Sequence, residues 1–248
     1  MRREKRFCIK KIWICLLCVA LLISGCAIYV SDYYHADDGA IEAFGMPNAV
    51  EQRRVSHDRI DFVPDDTVAG VVFYPGGKVE YTAYVPLMRA LAERGILCVL
   101  LKMPFNLAVL DMNAADGVRE SYPDVEQWYI AGHSLGGSMA AYYVAENADK
   151  WQGLLLLGSY SSQNLTDSQL RVLSIYGSED RVMNREKYDS YKSNLPTSLE
   201  EIEIEGGCHA YFGVYGAQKG DGAPTISAED QIRQTAAYIA EFIREGER

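Results

Sequence analysis

In the stretch Tyr129–Tyr143, YIAGHSLGGSMAAYY, one serine has glycine two residues away on either side, so that Gly132-His133-Ser134-Leu135-Gly136 reads G-x-S-x-G. A serine hydroxyl is a weak nucleophile until a base within hydrogen-bond reach takes its proton and a third group orients that base. The sequence holds 4 histidines. His35 lies in a polar N-terminal stretch, His57 precedes the first alternating strand, and His133 adjoins the serine and cannot easily face its neighbour's Oγ. His209 remains, in EGGCHAYFG behind the last expected strand. A carboxylate to orient it should follow another strand, and SIYGSEDRV offers Glu179 and Asp180. The chain order Ser134, Asp180, His209 is one in which such constellations occur. Together these side chains could perform acyl transfer: addition of Oγ to a carbonyl, with the N–H groups at the start of the following helix, Leu135 first, turned toward the oxyanion.

Such chemistry needs elements that bring distant residues to one edge. RIDFV (Arg59–Val63) alternates as a short strand, and AGVVFYP, ILCVLLKM, QWYIAG, WQGLLLLGSY, LRVLSIYG and LEEIEIEGG read as six more. Between them, YTAYVPLMRALAERG has helical apolar spacing and closes on Gly95. Residues from about Leu107 to Glu120, Gly136–Asn147 and Arg185–Ser193 read as further helices. Ser227 caps a last one through EDQIRQTAAYIAEFIRE. Near-continuous apolar strands separated by helices predict an α/β fold with a mostly parallel central sheet covered on both faces. The bare G-x-S-x-G pattern arises by chance on the order of 0.1 times in a chain this long. Its place between strand and helix is the informative part, because a tight turn there leaves no room for side chains at 132 and 136. Only Ser161–Arg171 separate GLLLLGSY from the next strand run, too few residues for a helical domain between them. Tyr74, Phe105, Tyr160, Phe212 and Tyr215 lie near the strand ends as possible lining, and Lys219-Gly220-Asp221-Gly222 reads as a turn.

The N-terminus has a different character. Six basic residues and one acid occupy positions 1–25, followed within that stretch by an apolar run from Ile12 to Ile23. The run has the length of a signal-peptide core. Ser24-Gly25-Cys26 behind it resembles a bacterial lipobox, which implies cleavage before Cys26 and lipid on that cysteine; an uncleaved signal anchor is the competing reading. The expected organisation is a signal peptide at 1–25, a lipidated tether at 26–47 and one domain at 48–248, held on the outer face of the cell membrane. The formal charge is −10 overall, and without the first 25 residues it is −15, from 18 basic and 33 acidic residues. Such a surface repels nucleic acid. Cys98 and Cys208 alone would remain as thiols, which gives neither a disulfide framework nor metal-ligand spacing. No G-x-G-x-x-G follows the first strand and no P-loop occurs, so no nucleotide cofactor, other cofactor or metal is expected.

GHSLGG, YGSEDRV and GGCHAYFG together resemble the α/β-hydrolase superfamily. The wider spread from YPGGKVEYTAY through LKMPFNLAVLD to GGCHAYFGVYG is similar to its small, capless "fold-5" branch. The resemblance covers Arg59 to the C-terminus. It implies a Ser-His-Asp triad of Ser134, His209 and Asp180, the acid matching Asp180 rather than Glu179. It also implies that the turn Pro75-Gly76-Gly77-Lys78 supplies the second oxyanion donor, from Gly77 or Lys78, beside Leu135. The expected activity is cleavage of a carboxylic ester or related acyl bond on a small molecule or cell-envelope substrate. Transfer of an acyl group to a cell-envelope polymer, or a non-catalytic binding module on the same scaffold, are the rival readings.

Overall fold

The computed structural model describes residues 2–45 and 50–246. The chain forms two compact units, residues 1–33 and 34–248. The first is one helix, α1 (Arg2–Ser31), in which Trp13–Ser31 is long and apolar enough to cross a membrane. It continues unbroken through Ser24-Gly25-Cys26. The expected boundary between tether and domain, at 47/48, lies outside the described residues. Before it, the chain is not structureless. Tyr34 donates its N–H to the Lys78 carbonyl at 2.7 Å and accepts from the Glu80 N–H at 2.8 Å, and a second helix, α2 (Asp38–Gly45), buries Ala40 completely.

The second unit is built on eight strands: β1 (Glu51–Ser56), β2 (Arg59–Val63), β3 (Ala69–Tyr74), β4 (Ile96–Leu101), β5 (Trp128–His133), β6 (Gly153–Leu157), β7 (Arg171–Gly177) and β8 (Leu199–Ile204). They form one sheet in the order β1-β2-β4-β3-β5-β6-β7-β8. β2 is antiparallel to β1 and β4, and β3 through β8 run parallel. β1 escapes the sequence reading because EQRRVS is polar and exposed at the edge, without an apolar face to betray it.

Alternation of side chains along each strand sends Val71, Phe73, Leu155 and Leu157 to one face, under α3 (Val85–Ala92) and α6 (Ala228–Glu245). Val72, Tyr74, Leu154 and Leu156 go to the other, under α4 (Leu135–Glu146). Each fully buried leucine stabilises the fold by about 1.5–3 kcal/mol before entropy is counted, so burial on both faces sets the strand register. A shorter helix, α5 (Arg185–Tyr191), carries Tyr188 onto Tyr176.

The helix expected at 107–120 does not form. That stretch holds only short 3₁₀ turns at Ala108–Leu110 and Arg119–Ser121, after another at Pro104–Asn106. Gly117 sits at φ +73°, which interrupts a right-handed helix, and Asp111, Asn113 and Asp116 are residues of low helix propensity. Tyrosines hold the segment instead. Tyr74 Oη donates to the Met112 carbonyl at 2.7 Å and accepts from the Ala115 N–H at 3.0 Å, while Tyr143 Oη donates to Asp116 at 2.8 Å. Tyr122 Oη donates to Asp61, a fully buried carboxylate that also receives Arg59 Nε and Nη2, each at 2.8 Å. No helix lies between Leu157 and Arg171 among the described residues, so no helical cap is inserted there.

Because β3 through β8 are parallel, the residues that follow their carboxyl ends share one edge, the usual place for a site in such sheets. The Arg59–Asp61–Tyr122 cluster fixes the longest irregular segment near that edge. Asp61→Ala should cost about 3 kcal/mol in urea unfolding, since it strands three donors; a loss below about 1 kcal/mol would contradict this role.

Candidate active site

Ser134 joins β5 to α4 with φ 51° and ψ −122°, a conformation that costs an L-residue roughly 1–3 kcal/mol. Its backbone is held on both sides. The N–H donates to the Leu157 carbonyl at 2.9 Å, and the carbonyl accepts from the Ser138 N–H at 3.2 Å and Ser159 Oγ at 2.7 Å. Its side chain makes no capping hydrogen bond, although it stands at the N-cap of α4. The glycines explain how the turn closes. A Cβ on Gly132 would lie 2.5 Å from the Gly136 carbonyl carbon and the Gly137 nitrogen, directly across the turn. Gly136 is constrained by the end of β3: its Cβ would meet the Tyr74 and Pro75 carbonyl oxygens at 2.2 and 2.3 Å.

Asp180, in the loop after β7, accepts the Val182 and Met183 N–H groups on Oδ1 at 2.9 and 2.8 Å. Its Oδ2 accepts from His209 Nδ1 at 2.8 Å. Both side chains are 1% exposed, so this is a charge-assisted contact shielded from water. Glu179 turns away to pair with Arg181 at 3.2 Å. With its proton on Nδ1 and directed to Asp180, the imidazole keeps a lone pair on Nε2, and that atom is buried without a hydrogen-bond partner. A Cβ built on Gly158 would lie 3.0 Å from His209 Nδ1 and 3.1 Å from Asp180 Oδ2. Gly158 directly follows the residue whose carbonyl receives the Ser134 N–H, and the His209 ring lies 4.5 Å, centroid to centroid, from that of His133. The three sequence-predicted side chains thus share one edge of the sheet. No hydrogen bond joins Ser134 Oγ to His209 Nε2, a contact that often tightens only when substrate is bound.

Two residues that sequence reasoning passed over hold the His209 loop. Asp221 Oδ1 accepts the His209 N–H at 3.2 Å and Oδ2 the Ala210 N–H at 2.8 Å, and Oδ1 also receives the Arg181 N–H from the Asp180 loop at 3.3 Å. Lys219-Gly220-Asp221-Gly222 is therefore more than a turn: its acid ties both loops together. From α6, the buried Gln231 side chain accepts the Cys208 N–H at 2.9 Å and donates to the Cys208 carbonyl at 2.8 Å. Side-chain-to-backbone bonds of this kind leave no local pattern in a sequence.

Of the expected oxyanion donors, Lys78 is a correction. Its N–H donates to the Asn106 carbonyl at 2.8 Å and is committed there. The Gly77 and Leu135 N–H groups enter no hydrogen bond among the described residues, and the two residues are in close contact: a Cβ on Gly77 would lie 2.8 Å from Leu135 Cδ2. Cys98 and Cys208 are buried free thiols, and Cys26 is exposed on α1. Of the aromatics near the strand ends, Tyr74, Phe212 and Tyr215 are buried, Tyr160 stacks on Tyr191 and Phe105 is exposed. His133 is neutral: burial, and secondarily the neighbouring His209, push its pKa well below 6.5.

The family model described as "Alpha/beta hydrolase family" matches residues 70–233, more than half of the chain. No curated protein matches. Solved structures are similar in fold. A predicted CIB-like hydrolase from Thermoplasma acidophilum has 16% identity and a TM-score of 0.55, covering 79% of this chain and 100% of its own. TT1662 from Thermus thermophilus has 15% identity and a TM-score of 0.56, covering 80% and 99%. Est1E from Butyrivibrio proteoclasticus has 13% identity and a TM-score of 0.56, covering 79% and 100%. With its mostly parallel sheet and its G-x-S-x-G turn inside the matched segment, the chain belongs to the alpha/beta hydrolase family.

Proposed function

We propose that this protein is a serine hydrolase that cleaves carboxylic esters, with Ser134 as nucleophile, His209 as general base and Asp180 as the group that orients it. The observation that carries the reading is the buried Asp180–His209 pair, whose Nε2 has no hydrogen-bond partner, in loops at the same edge of the sheet as the Ser134 turn. In the first step Nε2 takes the Ser134 proton as Oγ bonds to the ester carbonyl carbon, and the carbonyl π electrons move to oxygen. The Leu135 and Gly77 N–H groups receive that oxyanion; one such donor contributes about 3 kcal/mol to the barrier reduction. Collapse expels the alkoxide, which leaves as alcohol with the proton from Nε2. Water then repeats the sequence on the acyl-enzyme. Asp180 keeps the Nδ1–H tautomer throughout and stabilises the imidazolium while it lasts. No helical cap is inserted after β6, so substrates with short or protruding acyl groups suit the site best.

The same reading places the enzyme on the outer face of a membrane. Trp13–Ser31 is apolar on average and carries no charged residue, and Cys26 is exposed within it, which supports a lipid on that cysteine after cleavage, as the lipobox resemblance implies. Mass spectrometry of the membrane fraction should find a mature N-terminal peptide starting at acylated Cys26. A full-length, unmodified chain, soluble or anchored, would overturn that part. For the catalytic part, Ser134→Ala should lower hydrolysis of p-nitrophenyl acetate by at least about 10⁴-fold with the circular dichroism spectrum unchanged; activity within tenfold of wild type would remove Ser134 from the mechanism.

A further inference from the structure

The proposed mechanism makes no use of two buried polar side chains that lie against its parts, Tyr84 and His133. Tyr84 ends the 3₁₀ turn Tyr81–Tyr84 that leads into α3 and is 0% exposed. Its Oη accepts the Gly76 N–H at 3.0 Å and lies 2.8 Å from His133 Nδ1. One lone pair of the hydroxyl is taken by Gly76; in the Nε2–H tautomer of His133, the hydroxyl proton goes to Nδ1. The result is a buried line from Gly76 N–H to Tyr84 O–H to His133. At one end is the peptide that precedes Gly77. At the other is the residue that precedes Ser134, with its ring 4.5 Å from that of His209. The turn backbone lies directly on this line: a Cβ at Gly76 would meet Tyr84 Oη at 2.7 Å and His133 Nδ1 at 2.8 Å.

We infer that Tyr84 is a positioning residue for the oxyanion site, its hydroxyl fixing the Gly77 N–H relative to Ser134 by tying the Gly76 amide to His133. The inference rests on the serine-hydrolase reading above. No covalent chemistry passes through Tyr84, and its ring is independently held against Phe73, His133 and Tyr215. The hydroxyl therefore separates cleanly from the packing. A donor moved by a fraction of an ångström still admits the planar ester, whereas the tetrahedral oxyanion depends on its exact place. Loss of the hydroxyl should thus appear in kcat and in the affinity for tetrahedral mimics, and hardly in KM.

The test is Tyr84→Phe in the full chain, with p-nitrophenyl acetate as substrate and phenylboronic acid, which forms a tetrahedral adduct on serine, as probe. The expected result is a kcat about 10- to 100-fold lower, KM within about threefold, and a boronate Ki raised by the same factor as the loss in kcat/KM. A purely structural role would lower Tm without that parallel. Gly76→Ala, which wedges the same hydrogen bond open and leaves the hydroxyl in place, should reproduce the pattern and serves if Tyr84→Phe does not fold. An active wild type with kcat/KM and boronate affinity within twofold in a folded variant would overturn the inference alone. A wild type with neither turnover nor boronate binding would overturn the hydrolase reading and this inference with it.

Discussion

A backbone at φ 51° and ψ −122° is held by an L-residue only where packing on every side compels it, and at Ser134 the compulsion comes from contacts too close for any side chain. β5 can turn into α4 this sharply because Gly132 admits the backbone of Gly136 and Gly137. The turn can lie against β3 because Gly136 admits the carbonyls of Tyr74 and Pro75. Those distances fix the serine relative to the Gly76–Gly77 turn before any functional group is considered. Parallel pairing of β3 with β5 and of β5 with β6 then carries the constraint to the neighbouring strand ends. The sheet is in this sense the ruler, and the loops at its carboxyl edge are read off it.

Loops at that edge would drift without polar ties, and each tie here is a side chain bonded to backbone. Asp180 caps its own loop through two N–H groups before it meets the imidazole. Asp221 gathers amides from both the Asp180 loop and the His209 loop, and Gln231 clamps Cys208 from α6. A buried ion pair contributes little net stability by itself, because desolvation offsets the attraction. Its value here is orientational: Asp180 engages Nδ1, and Nε2 is the ring nitrogen left without a hydrogen-bond partner. Burial also disfavours the charged form of His133, so the ring tilted against that of His209 adds no opposing charge when a proton arrives there.

The sheet was largely legible because its strands are apolar runs bounded by turn residues, the helices α3 and α6 because their apolar residues recur at helical spacing, and α4 because small, helix-prone residues follow the serine turn. β1 and α2 were not, since one is a polar edge strand and the other a short segment whose buried alanine gives little periodic signal. The stretch 107–120 reads as helix by local composition and loses that identity to tyrosine hydroxyls from β3 and α4, partners distant in sequence. Within the site, the serine turn has a local signature, and the order of acid and histidine narrows the rest. Choosing Asp180 over Glu179 needed the family resemblance, and the imidazole does bond to Asp180. The roles of Asp221, Gln231 and Tyr84 had no sequence signature at all, because each acts on a backbone group brought to it only by the fold.

All of this converges on whether Ser134 is activated, and covalent labelling reads that property at a single atom. The full chain, treated with a fluorophosphonate and digested, should yield one modified peptide, with the phosphonyl group on Ser134 and labelling suppressed by phenylmethylsulfonyl fluoride. An unlabelled Ser134 in folded protein, or a phosphonyl group carried by another serine, would contradict the account.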